Sequence, residues 1–281
     1  MAVKFLPQAP GPIGVFDSGY GGLTILKSIR ELLPQYDYLY LGDNARDPYG
    51  SRSFELVYDF TLQAVKRLFE LGCHLVILAC NTASAKALRS IQQNDLPYLD
   101  ESRRVLGVIR PTVEIIGEIT HNNHVGILAT PGTIKSESYN IELAKFYPGI
   151  HVTGQACPMW VPLIENNEHG TAGADFFVQK YLDEILSKDP DIDTIILGCT
   201  HYPLLYDKIR KYCPSQIRLI PQGDYVAKSL AQYLLKHPEM ERSCTHHGEC
   251  SFLTTESSEK FAENATIFLN QDIHAKKIIL D

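Results

Sequence analysis

The sequence predicts an α/β fold: two similar α/β domains with mainly parallel sheets, related by a pseudo-two-fold, with a site in the cleft between them. Three observations carry this expectation. Short aliphatic runs alternate with longer stretches of helical period, the pattern of βα units. An aliphatic run closed by a cysteine occurs twice, in HLVILAC ending at Cys80 and DTIILGC ending at Cys199. The spacing also repeats, with 66 residues from Gly14 of IGVF to Cys80 and 73 from Gly126 of VGIL to Cys199. Buried parallel strands all look alike, but that does not place a cysteine at nearly the same offset twice. A duplicated unit does.

In chain order, the strands expected are PIGVFD (12–17), DYLYLGD (37–43), HLVILAC (74–80), RVLGVI (104–109), HVGILAT (124–130), HVTGQAC (151–157), DTIILGC (193–199) and IRLIPQ (217–222). Each is a short apolar run of strand length. LTILKSIRELL (23–33), FELVYDFTLQAVKRLFELG (54–72) and AGADFFVQKYLDEILSK (172–188) have helical period and helical length. Ligands of open parallel sheets sit at the carboxyl ends of the strands. Asp17, Cys80, Thr130 and Cys199 all fall there.

Composition narrows the function classes. A chain of 281 residues, 44% hydrophobic and 21% charged, has the make-up of a globular protein with a sizeable core. Its net charge of −7 argues against a nucleic-acid partner. No apolar run approaches the roughly 20 residues of a membrane helix, and MAVKFLPQAPGPIGVF lacks the apolar core and cleavage site of a secretory signal. Seven cysteines without paired spacing read as thiols, not as a disulfide framework. The expected setting is the reducing cytoplasm.

The strand-end cysteines suggest chemistry. A cysteine at a helix start meets unpaired amides and the positive end of the helix dipole, which can lower a thiol's pKa from about 8.5 by one or more units. Asn81-Thr82 and Thr200-His201 add amides and hydroxyls suited to a small carboxylate. Cys73, Cys157 and Cys213 are expected to be ordinary small core residues. VFDSGYGGLTIL (15–26) has the strand, glycine turn and helix of a nucleotide site, but it matches neither phosphate-binding pattern. Asp17 would repel a phosphate; it suits an ammonium, a proton relay to a thiol, or simply a turn cap. Thr130 and Thr133 suit either an anion or ordinary N-capping. Pro48-Tyr49-Gly50 reads as a turn. CTHHGEC (244–250) crowds two cysteines and two histidines but fits no common zinc spacing; it is expected to be a polar surface loop, and no metal site is assigned. Two thiols facing one ligand could take a proton from one face of a carbon and deliver one to the other, inverting a stereocentre. No cofactor motif is visible, so preorganised hydrogen bonds would have to stabilise the developing charge.

IGVFDSGYGGLTIL, YLGDNARDPYG (40–50), ILACNTASA (77–85), VPLIE (161–165) and ILGCTHYPLL (196–205), in this order and over nearly the whole chain, resemble the cofactor-independent glutamate racemases. The resemblance implies interconversion of L- and D-glutamate for peptidoglycan synthesis, without a cofactor. It implies that Cys80 removes the α-proton of D-glutamate and Cys199 that of L-glutamate, assisted by Asp17, His201 and Glu165. It further implies substrate contacts from Ser18, Pro48, Tyr49, Gly50, Asn81, Thr82 and Thr200. The implied domains are 1–108 plus 223–281, and 109–222; the implied partners are L- and D-glutamate, with a homodimer as the expected assembly. LIPQGD (219–224) is unusual where the chain returns to the first domain, and SRSFEL (51–56) has no assigned role. Three rivals remain at this point. An aspartate racemase usually carries an acidic residue where this chain has His201; a thiol hydrolase using Cys199 and His201 leaves Cys80 unexplained; a non-catalytic amino-acid binder leaves both cysteines so.

Overall fold

The computed structural model describes residues 9–280; residues 1–8 and 281, at the ends of the expected first domain, lie outside them. All eight expected strands form, as β1 (Ile13–Asp17), β2 (Tyr38–Gly42), β3 (Leu75–Leu78), β4 (Arg104–Gly107), β5 (His124–Ala129), β6 (His151–Ala156), β7 (Thr194–Gly198) and β8 (Arg218–Ile220). Two more follow, β9 (Cys250–Thr254) and β10 (Ala275–Lys277). They build two sheets, one ordered β10-β9-β2-β1-β3-β4 and one ordered β6-β5-β7-β8. Among the described residues every strand pairing is parallel.

The order β2-β1-β3-β4 recurs as β6-β5-β7-β8, and the register recurs with it. Gly14 pairs with Val76 and Gly126 with Ile195. Cys80 lies four residues past Val76, and Cys199 four past Ile195. The two cysteines therefore leave equivalent strands at equivalent positions. Strands β1, β2, β3 and β7 are buried along their whole length, so they are uniformly aliphatic instead of alternating.

Helices cover the sheets. Phe54–Glu70 starts at Ser53, whose hydroxyl accepts from the Leu56 amide at 3.3 Å, which gives SRSFEL its local role as a helix start. Leu68 and Val65 of this helix pack with Phe16 and Leu78 on one face of the larger sheet. On its other face a continuous buried cluster runs from Ile13 and Leu23 to Trp160, Leu182 and Leu197, joining the sheets. Val113 and Ile116 of helix Ile109–Ile119 pack on Ile127 and Ile196. Among the described residues, no helix is long and apolar enough to cross a membrane.

The CTHHGEC segment is the polar surface loop expected across its middle, where His246, His247, Gly248 and Glu249 are exposed, but the cysteines at its ends are tied into the fold. Cys244 is buried and bridges to Gly11, and Cys250 opens β9 beside Tyr38. Its histidines turn to separate carboxylates: His246 to Glu241 at 2.9 Å and His247 to Asp37 at 2.7 Å.

Candidate functional site

Loops at the carboxyl ends of both sheets enclose a cavity of about 130 Å³. One water-sized probe needs roughly 10–15 Å³ of such space, so the cavity has room for on the order of ten small groups. That suits a small amino acid. Cys80 and Cys199 both line it, with Ser18, Pro48, Tyr49, Gly50, Asn81, Thr82, Thr130, Thr200 and His201. Of the residues singled out from the sequence, Asp17, Thr133 and Glu165 are absent from the lining and act from behind it.

Cys80 caps helix Asn81–Lys86, and its sulfur accepts from the Ala83 amide at 3.4 Å. The thiol donates to the Ser18 hydroxyl at 3.6 Å. The amide contact expected at a helix start is present, but the lowered pKa is not: burial, then the nearby Asp17 carboxylate, pushes this thiol up to about 12. Burial outweighs a single amide here. Asp17 is fully buried and accepts from the Gly19 amide at 2.9 Å and from the Thr200 hydroxyl at 3.4 Å. Burial raises its pKa, against the charge of His201 and the amides of Gly19 and Gly22. This placement suits a proton relay and a turn cap better than direct capture of an ammonium.

Cys199 sits in a turn, three residues ahead of the short 3-10 helix Tyr202–Leu205, so it lacks the helix-start geometry of Cys80. Its partner is a side chain. His201 Nδ1 lies 3.8 Å from the Cys199 sulfur and Nε2 lies 3.0 Å from Glu165 Oε1. Burial opposes a charge on His201, but hydrogen bonds to Cys199 and Glu165 overcome it and hold the imidazole well above its ordinary pKa. Burial likewise opposes the Glu165 charge, and hydrogen bonds from His201 and Asp47 hold it down at about 2. Asp47 completes the chain: burial, then its hydrogen bond to Glu165, raises its carboxyl well above the usual range. Along the row Asp47, Glu165, His201, Cys199 these shifts favour the protonated form of Asp47, the ionised form of Glu165 and the protonated form of His201.

A second network holds the wall beside Cys80. Asn81 Nδ2 donates to Gln222 Oε1 at 2.7 Å, and Tyr139 OH donates to Asn81 Oδ1 at 2.7 Å. Gln222 Nε2 in turn reaches Val108 O, Thr112 Oγ1 and Tyr139 OH at 2.9–3.1 Å. The LIPQGD segment therefore braces the cavity through a buried amide. Thr82, Thr130 and Thr133 bring three hydroxyls within 3.0–3.4 Å of one another. Thr130 also caps helix Pro131–Lys135 through the Thr133 amide, so the capping reading holds while its hydroxyl lines the cavity. Tyr49 OH donates to Asp43, whose other contacts include Arg46 at 2.7 Å and Thr255 at 2.9 Å.

Gly21 of DSGYGG and Gly50 of DPYGSRS let loops close on one another's side chains. A Cβ on Gly21 would meet Thr200 Oγ1 at 2.2 Å and His201 Nδ1 at 2.4 Å. A Cβ on Gly50 would meet Thr130 Cβ at 2.9 Å. Each lets a loop of one sheet close on a loop of the other, which is why a glycine turn occurs without a phosphate pattern.

The sequence profile described as Asp/Glu/Hydantoin racemase matches residues 13–230. The chain belongs to this racemase family. It is 41% identical to the glutamate racemase of Roseobacter denitrificans over 93% of this chain and 97% of that one. Glutamate racemase isoform RacE1 of Bacillus anthracis superposes with a TM-score of 0.87 at 34% identity, covering 96% and 98% of the two chains. The Francisella tularensis glutamate racemase, solved in complex with D-glutamate, superposes with a TM-score of 0.85 at 33% identity, covering 97% and 98%. The fold is the two-domain racemase fold of these amino-acid isomerases.

Among the lining or bracing residues that escaped the sequence reading, three stand out. Asp47 stands beside Pro48 in a turn, and nothing local marks its carboxyl as facing Glu165. Gln222 is one polar residue after a strand. Cys157, taken for core, is indeed buried and pushed up by burial, yet it also lines the cavity. Its position directly after β6 was the available signal.

Proposed function

We propose that the protein interconverts L- and D-glutamate without a cofactor, with Cys80 and Cys199 as the two proton-transfer groups. One observation carries this reading: equivalent strands of two repeated sheets deliver a thiol each to one small cavity. Cys199 faces the charged imidazole of His201, a ready partner for a thiolate, and takes the α-proton of L-glutamate. Cys80, with its pKa near 12, is stored as the thiol and protonates the opposite face, giving D-glutamate. In the reverse direction Cys80 is the base and Cys199 the acid. Asp17 relays protons for Cys80; Glu165 and Asp47 hold His201 in its charged form. The hydroxyls of Ser18, Thr82, Thr130 and Thr200, with Asn81 and the Pro48–Gly50 turn, hold the substrate, and Thr133 fixes Thr130. Such preorganised donors can stabilise charge developing on the carboxylate.

The domain division proposed is 1–108 plus 223–281, and 109–222. The grouping of β1–β4 with β9 and β10, and of β5–β8 apart from them, supports it. The product fits a cytoplasmic supply of D-glutamate for peptidoglycan, with the enzyme assembled as a homodimer.

Proton NMR of the purified protein with L-glutamate in heavy water, with chiral chromatography alongside, tests the reaction. The expected result is loss of the α-proton signal together with D-glutamate. Absence of both overturns the reading.

A further inference from the structure

We propose that His124, His151 and Asp189 form a zinc-class divalent-cation site at the end of the smaller sheet remote from the cavity. His124 opens β5 and His151 opens β6, and the two are paired in register. Thr130, just past the far end of β5, lines the cavity. Six strand residues at about 3.3 Å each separate the two ends by roughly 20 Å. Asp189 follows the last turn of helix Ala172–Lys188.

The donor atoms are already gathered. Asp189 Oδ2 lies 3.0 Å from His124 Nδ1 and 3.7 Å from His151 Nε2, and one ligand atom from each residue lies within 4.8 Å of the others. A tetrahedral ion with bonds of about 2.0–2.1 Å places its ligand atoms about 3.4 Å apart. Only a small inward movement of His151, whose side chain is 62% exposed, is needed. Asp189 is buried and already fixed: the Thr153 hydroxyl donates to Oδ2 at 3.2 Å and the Asp191 amide to Oδ1 at 3.1 Å. Such outer contacts orient metal-binding carboxylates. Asp191 and Asp193 add negative charge nearby.

A hydrogen bond closing the helix end would need only His124 and Asp189. It does not account for a second imidazole placed to share the same carboxylate oxygen. Two imidazoles and one carboxylate suit zinc and its neighbours better than calcium or magnesium. Three protein ligands leave a fourth position for water. The bound ion would tie the starts of β5 and β6 to the helix that precedes β7. Among the described residues this is the one group of three or more such side chains gathered this closely.

The test uses the full-length protein, stripped with chelator and desalted, then titrated with zinc chloride by calorimetry. His151→Ala is the main variant, because its exposed side chain can be removed without disturbing the core. Cys250→Ser combined with His246→Ala controls for the cysteine-rich segment. The expected result is one zinc per chain in wild type and control, weakened about tenfold or more in His151→Ala. Cobalt substituted for zinc should give a spectrum without intense thiolate-to-metal bands. No zinc binding, equal binding by His151→Ala, or strong thiolate bands each overturn the proposal.

Discussion

Cys80 and Cys199 occupy the same position in a repeated unit, yet their surroundings differ. A serine hydroxyl, one amide and a buried aspartate surround the first, while an imidazole backed by a carboxylate faces the second. If both thiols transfer protons, neither can substitute for the other, because each addresses one face of the α-carbon. Cys80→Ser and Cys199→Ser should each lower racemisation by roughly 10²–10⁴-fold, the usual worth of a positioned acid or base, with an unchanged far-ultraviolet circular dichroism spectrum. Substantial racemisation in either variant would count against two-thiol chemistry. Gly21 offers a finer test. Its missing Cβ is what lets the turn after β1 approach Thr200 and His201. Gly21→Ala should destabilise the fold by about 1–3 kcal/mol, as overpacking generally does, and should lower kcat by displacing His201. Thermal melts and steady-state kinetics read the two effects separately; wild-type kcat would show that the approach is incidental.

At the scale of elements, the Glu165–His201 pair joins the end of helix Trp160–Glu165 to the turn after β7. Glu165 is held at about 2 against an ordinary 4.5, so its contribution is present above about 4.5 and is lost as pH falls toward about 2. His201 is raised above 6.5, so its contribution is complete below 6.5 and is lost as pH rises through the elevated value. The pair therefore stabilises the fold most between about 4.5 and 6.5. Glu165→Gln should lower Tm most in that window, with the difference from wild type narrowing on either side. A difference that does not vary with pH would show that the lost contact is not an ion pair. This coupling also marks the limit of what the sequence conveys. The central strands were legible because full burial on a parallel sheet demands aliphatic runs, as in β1, β2, β3 and β7, and the candidate sites were read from where such strands end. Strands β9 and β10 were not: AKK at the sheet edge carries no such demand, and CSFLT, though Phe252, Leu253 and Thr254 are buried between β2 and β10, is too short an apolar run to stand out. Asp47 and Gln222 were hidden for another reason. Their roles depend on partners 118 and 141 residues away, Glu165 and Asn81, and no local pattern encodes a contact of that range.

For the whole molecule, the decisive feature is that neither sheet owns the cavity. Ser18 and Cys80 come from loops of one, Thr130 and Cys199 from loops of the other. Direct contacts already cross between them: Thr24 Oγ1 donates to Thr200 O at 2.8 Å, the Gly132 amide donates to Gly50 O at 2.7 Å, and Thr82 and Thr130 hydroxyls lie 3.0 Å apart. A buried cluster continuous between the sheets adds to them. A bound amino acid would add contacts to both sides, so unfolding either part would release it. Binding to the folded state alone stabilises by about 2.7 kcal/mol at a ligand concentration 100 times Kd. Either enantiomer of glutamate should therefore raise the Tm of the whole protein in a single transition. Cys199→Ser is the suitable form for this measurement, because the ligand would then persist unconverted during the melt. Differential scanning calorimetry with L-glutamate, D-glutamate and neither should show one endotherm moving upward with both enantiomers. An endotherm that splits, with only one component responding, would mean that the cavity belongs to one half. No shift with either enantiomer would mean that glutamate is not the occupant.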